Sequence, residues 1–149
     1  MTEPNLGDIA RSIVDSNRFM TLATADASGV PWVSPVWYAP AGYRELFWAS
    51  KPEAQHSRNL AHRSELAIVI FDSHEPGWWK SVYMSAVAEE LADVDDGIEV
   101  YSRRAVAQGL RVWTREDVLP PARHRLYRAR VSEHFVLDDH DQRLPVTLE

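Results

Sequence analysis

The sequence predicts a mainly β domain, an antiparallel barrel of about six strands with helices as lids. Three observations lead there. Apolar residues alternate or run at strand length in six stretches, helical periodicity is confined to a few short segments, and turn residues separate the strands at meander spacing. A barrel is the economical way for such a meander to remove the edges it would otherwise expose.

Leu6, Ile9, Ala10, Ile13 and Val14 recur at helical spacing. They predict an amphipathic helix over residues 5–16, closed by Ser16 and Asn17 and packed across one end of the sheet. Residues 19–26 (FMTLATAD) alternate and run into Ala27, Ser28 and Gly29, a hairpin turn leading to residues 30–38 (VPWVSPVWY), so these two strands pair antiparallel. Pro31 and Pro35 cannot donate to a ladder, which makes the second strand an edge, or bulged near Pro35, with backbone open to a ligand. Pro40, Ala41 and Gly42 then turn the chain into a third strand over residues 44–50.

Residues 45–72 form the unit around which the rest is arranged, reading as strand, helix, strand. Ser50 followed three residues later by Glu53 has the capping-box pattern, and Pro52 suits a first turn because it has no amide hydrogen to leave unpaired. A helix opening directly off a strand presents unpaired amides and the positive end of its dipole, a place for an anion. Lys51, His56, Arg58 and Asn59 add side-chain donors, so the unit reads as a phosphate-binding corner. The plainer alternative is an ordinary connection with a solvated basic face.

A strand over residues 66–72 follows, then the loop SHEPGWWK and a long strand over 81–92 that turns acidic at Glu89 and Glu90. Asp93, Asp95 and Asp96 at the start, Arg103 and Arg104 late, and Gly109 beyond the end mark a helix over 94–108. WTREDVLPPAR reads as a turn of helix stopped by Pro120 and Pro121, residues 126–137 as the last strand, and DDHDQR as the start of a polar tail.

Composition narrows the function. The 149 residues fit one domain, 1–149, and a chain of this size buries roughly two-thirds of its extended surface on folding. A net charge of -6 argues against a nucleic-acid partner, whose phosphates need a basic surface. With no cysteine, thiol and thiolate-metal chemistry are excluded. A polar N-terminus and the lack of any apolar run of about 18 residues predict a cytoplasmic protein with no membrane partner. His56 and His62 lie six apart with no HExxH, so no metal site is expected, and Asp93, Asp95, Asp96 and Gly97 lack calcium-loop spacing. No G-x-S-x-G, Walker or G-x-G-x-x-G signature occurs. His124 and His134 read as surface or interface residues rather than catalysts.

Taken together, FMTLATADASGVPWVSPVWY, LFWASKPEAQHSRNLAHRSELAIVIFD, SVYMSAVAEEL and LYRARVSEHFVLD resemble, in this order and spacing, the pyridoxamine 5'-phosphate oxidase-like, FMN-binding split-barrel proteins. The resemblance runs from about residue 19 to 137. It implies a six-stranded antiparallel split β-barrel, a homodimer with the flavin at its seam, and an FMN-dependent oxidoreductase acting on a small organic substrate. Related split barrels use a deazaflavin, and others bind haem or only hold a flavin. The resemblance further implies that Ser34, Pro35, Val36 and Trp37 line the flavin ring with Trp48 and Ala49, though Trp37 and Trp48 also fit a plain core. The phosphate would rest at Ser50, Lys51, Gln55, His56, Arg58 and Asn59. Here Ala54, Gln55 and His56 stand where the oxidase has a Ser-Arg-Lys clamp, which shifts the weight to Lys51, Arg58 and the helix amides. The chain also lacks the oxidase's C-terminal Trp and Arg pattern, which puts vitamin-B6 oxidation in doubt. Trp78, Trp79 and Trp113, with Tyr83, are surplus aromatics expected to close the site from a second protomer, or else to pack against the first helix within one chain.

Overall fold

The computed structural model describes residues 5–74 and 81–149. In chain order the elements are α1 (Leu6–Ser16), β1 (Phe19–Ala25), β2 (Pro31–Trp37), β3 (Ala39–Ala41), β4 (Glu45–Ser50), α2 (Gln55–His62), β5 (Glu65–Phe71), β6 (Ser81–Glu90), α3 (Asp95–Ala107), β7 (Arg125–Leu137) and β8 (Arg143–Val146). A single 3-10 turn, Arg115–Asp117, precedes β7 where the sequence predicts a turn of helix. The strands form one curled antiparallel sheet in the order β2-β1-β5-β6-β7-β4-β3, with β8 added beside β7.

Among the described residues there are eight strands rather than six, for two local reasons. The predicted second strand ends at Trp37 as β2, which pairs β1, and after Tyr38 residues 39–41, expected as part of a turn, form β3, which pairs β4. Tyr38 is fully buried and its hydroxyl donates to the Val14 carbonyl at 2.6 Å, fixing α1 across the opening of the sheet. The two ends of the strand order are thus halves of one stretch of chain. The eighth strand comes from the polar tail, where the Asp138 carboxylate accepts from the His140 and Gln142 amides and turns the chain back onto β7. Pro31 and Pro35 do sit on an edge: β2 pairs β1 at all seven positions, and the bulge falls instead between Ser85 and Ala86 of β6.

Strand alternation fills the interior. Met20 and Leu22 of β1, Ile68 and Ile70 of β5, Val82 and Met84 of β6, and Leu46 and Trp48 of β4 point inward, and α1 closes one end with Ala10, Ile13 and Val14. A second cluster lies outside the sheet, where Ile98 and Tyr101 of α3 cover Ala39, Phe47 and Leu126. Gly97 permits that approach, since a Cβ there would stand 2.8 Å from Phe47 and 2.9 Å from Leu126. Trp113 belongs to this cluster, edge-on to Tyr101 at 5.1 Å between centroids, so within the chain it packs on α3 rather than on the first helix. Trp78 and Trp79 lie outside the described residues.

Candidate functional site

The β4–α2 corner is built differently from its sequence pattern. Ser50 does not cap the helix. It is the last residue of β4, held extended opposite Arg125 of β7, and its buried Oγ shares a 2.8 Å hydrogen bond with His56 Nε2. Lys51 to Ala54 form a turn closed by the Ala54 amide donating to the Lys51 carbonyl at 3.1 Å, and α2 starts only at Gln55. Its N-cap is Ala54, which has no side-chain acceptor, and no acidic residue stands in the first turn. The leading amides of α2 therefore lack the partner that a capping serine supplies, and the positive end of the helix is more open to an anion than the capping-box reading allows.

The donors expected around this corner divide into two groups. His56 faces inward, and burial pulls its pKa below the ordinary value of 6.5, so it stands neutral at pH 7. Arg58 Nη2 donates to Gln55 Oε1 at 2.6 Å, Gln55 Nε2 donates to Asn59 Oδ1 at 2.8 Å, and Asn59 Nδ2 donates to Thr24 Oγ1 of β1 at 3.0 Å. This relay runs from solvent to a buried hydroxyl and braces α2 against the sheet. Asn59 is a strut between elements, and only Lys51 and Arg58 remain exposed cations. Thr24, the inner end of the relay, was not legible from spacing, because its partner lies 35 residues away.

The residues expected to line a ring are partly dispersed. Val36 and Trp48 are core residues, with Trp48 fully buried and stacked on Tyr127 at 5.5 Å, 15° between planes. A ring outside the sheet cannot rest on either side chain. Ser34 and Pro35 remain accessible on β2. Trp37 and Ala49 border the outer cluster together, and Trp37 is held there by its Nε1 donating to Gln108 Oε1 at 2.8 Å and by edge contact with Tyr101 at 4.9 Å. No group of three metal-ligating side chains exists among the described residues, and no described helix is long and apolar enough to cross a membrane.

The family model for pyridoxamine 5'-phosphate oxidase matches residues 6–135. The chain belongs to that family. Among solved structures, a haem-binding protein from Mycobacterium smegmatis superposes with a TM-score of 0.75 at 25% identity, covering 99% of this chain and 60% of that one. The chain thus spans about three-fifths of that protein's length. A haem storage protein from Vibrio cholerae has a TM-score of 0.69 at 22% identity, covering 89% and 95% of the two chains. An F420 reductase has a TM-score of 0.60 at 18% identity, covering 90% and 98%. No curated protein matches the chain. The curled antiparallel sheet with three helices is the fold this pyridoxamine 5'-phosphate oxidase relative shares with them.

Proposed function

We propose that the chain binds FMN and acts as a cytoplasmic, flavin-dependent oxidoreductase on a small organic substrate. The observation that carries this reading is the start of α2 on Ala54, which leaves the Gln55, His56 and Ser57 amides without a capping side chain in a family whose oxidases use flavin. These amides suit a phosphate, Lys51 and Arg58 supply the mobile charge, and Ser34, Pro35, Trp37 and Ala49 offer surface for the ring. When bound, the flavin supplies hydride transfer through its ring. The protein then orients it through the amides of α2, with the neutral His56 fixing the end of β4 through Ser50.

A homodimer completes the proposal. The outer face of β1, β2, β5 and β6 carries a groove of about 220 Å³ floored by Ala23 and Ala67 and walled by Val33, Val69, Tyr83 and Phe135. Phe19, Val33 and Phe71 stand exposed on the same face. A monomer rarely leaves such a surface in water, so sedimentation at micromolar concentration should give a dimer.

Haem binding is the second reading, favoured by the mycobacterial neighbour, and a deazaflavin the third, favoured by the F420 reductase. Titration of the purified chain with FMN, F420 and haemin separates them. Flavin fluorescence quenched at stoichiometric FMN supports the proposal, and a Soret shift with haemin but no response to FMN overturns it.

A further inference from the structure

On the other side of the Lys51–Ala54 turn lies a cleft of about 410 Å³, bounded by that turn and by the loop leading into β7. Lys51, Arg123 and Arg125 line it with a single carboxylate, Glu53, and Pro52 and Pro121 form its walls. Three cations against one carboxylate make the cleft positive in a chain whose net charge is -6. Elsewhere among the described residues Arg11 pairs with Asp8, Arg103 with Glu99, Arg111 with Asp117, and Arg128 with both Glu45 and Glu89. Among the described residues no carboxylate lies within ion-pair distance of Lys51, Arg123 or Arg125. Three cations facing one carboxylate repel one another, and a bound anion would relieve that repulsion.

The cleft is also prepared for a ligand. Arg125 Nη1 donates to the carbonyls of Ala122 at 2.6 Å and His124 at 2.8 Å, which holds the guanidinium in place before anything binds. Such pre-orientation lowers the ordering cost of each charged hydrogen bond made with the remaining N–H groups. The two prolines stiffen both walls and bring no amide donors, so recognition falls to the side-chain charges. Because Arg125 stands opposite Ser50 in the β4–β7 ladder, the cleft borders the α2 corner without including the helix amides themselves.

We infer that this cleft is a second anion-binding subsite, distinct from the cofactor phosphate corner, which takes the dianionic oxyanion group of a small molecule through Arg123 and Arg125. It stands independently of which cofactor fills the corner.

The test is isothermal titration of inorganic phosphate into the purified chain, with and without saturating FMN. Phosphate binds in both states, Arg123→Gln weakens it about ten-fold, as expected for one charged hydrogen bond, and Arg123→Lys recovers most of the loss. Arg123 is exposed and makes no hydrogen bond or ion pair among the described residues, so its substitution leaves the fold alone, and FMN affinity measured on the same variant stays unchanged. Phosphate that displaces FMN would merge the cleft with the cofactor site and overturn the inference. Absence of binding heat, or equal heat from Arg123→Gln, overturns it as well. A chain that takes phosphate through Arg123 but ignores FMN keeps the subsite and removes the FMN proposal.

Discussion

Replacing Asn59 with alanine will destabilise the protein without moving its ligand contacts, and the size of the effect follows from the relay. Asn59 is 2% exposed, donates to Thr24 Oγ1 and accepts from Gln55 Nε2. Losing the Gln55 bond costs about 1 kcal/mol, and leaving the buried Thr24 hydroxyl without its donor costs about 1–3 kcal/mol more. The expected total is about 2–4 kcal/mol, read as a shift in urea midpoint at constant m-value. Thr24→Val should cost about 1–3 kcal/mol for the mirror reason, an Asn59 amide left unpaired in the interior. Because both singles strand a partner that the double variant removes, Thr24→Val with Asn59→Ala should cost less than the sum by about 1 kcal/mol or more. Additivity within about 0.5 kcal/mol would refute the relay as an energetic unit. A loss of FMN affinity in the folded Asn59→Ala variant would return this residue to the binding site.

Three further outcomes are expected. Lys51→Ala should weaken FMN by about 1–3 kcal/mol in a fluorescence titration, one charge-assisted hydrogen bond, and an unchanged constant would take the phosphate away from this corner. Gly97→Ala gains about 1 kcal/mol of helix propensity but drives a methyl into Phe47 and Leu126, an overpacking cost of about 1–3 kcal/mol, so stability should fall; Phe47→Leu in the same chain should relieve it, and failure to do so would locate the strain elsewhere. Burial lowers the pKa of His56 and of His134, whose Nε2 meets the Tyr43 carbonyl at 2.7 Å. The unfolded chain then binds protons before the folded one does. The stability these neutral rings contribute is complete above pH 6.5 and declines as pH falls through their folded pKa values, and urea midpoints of His56→Gln should decline less steeply over that window.

Local pattern carried much of the fold. α1 and α3 were legible because their apolar residues recur on one face over several turns, and the β1–β2 hairpin because Ser28 and Gly29 follow an alternating run. The start of α2 was misread for a physical reason. Ser50 and Glu53 satisfy a local capping rule, but Ser50 is claimed by the β7 ladder through Arg125, 75 residues on, and by His56. Tertiary pairing overrides local propensity where the two compete. Trp48 was ambiguous between ring contact and core, since an aromatic in a strand reads the same from either face, and only the sheet's curl puts it inside. Arg123 and Arg125 went unremarked because their meaning depends on a turn more than 70 residues earlier in the chain.

The join at Tyr38 makes segment length a constraint of its own. β2 and β3 are spaced by this one residue, yet each answers to a different neighbour: Trp37 to Phe19, and Ala39 to Phe47. An inserted residue there cannot be absorbed as loop slack, because side chains alternate with a period of two and a slip by one would swap inner for outer faces along β3. The Ala27 to Gly29 turn, fully exposed, can lengthen without consequence for either partner. Across divergent relatives, insertions and deletions should therefore gather at the hairpin tip and stay out of residues 31–41, so that chain length near Tyr38 is preserved even where the side chains change.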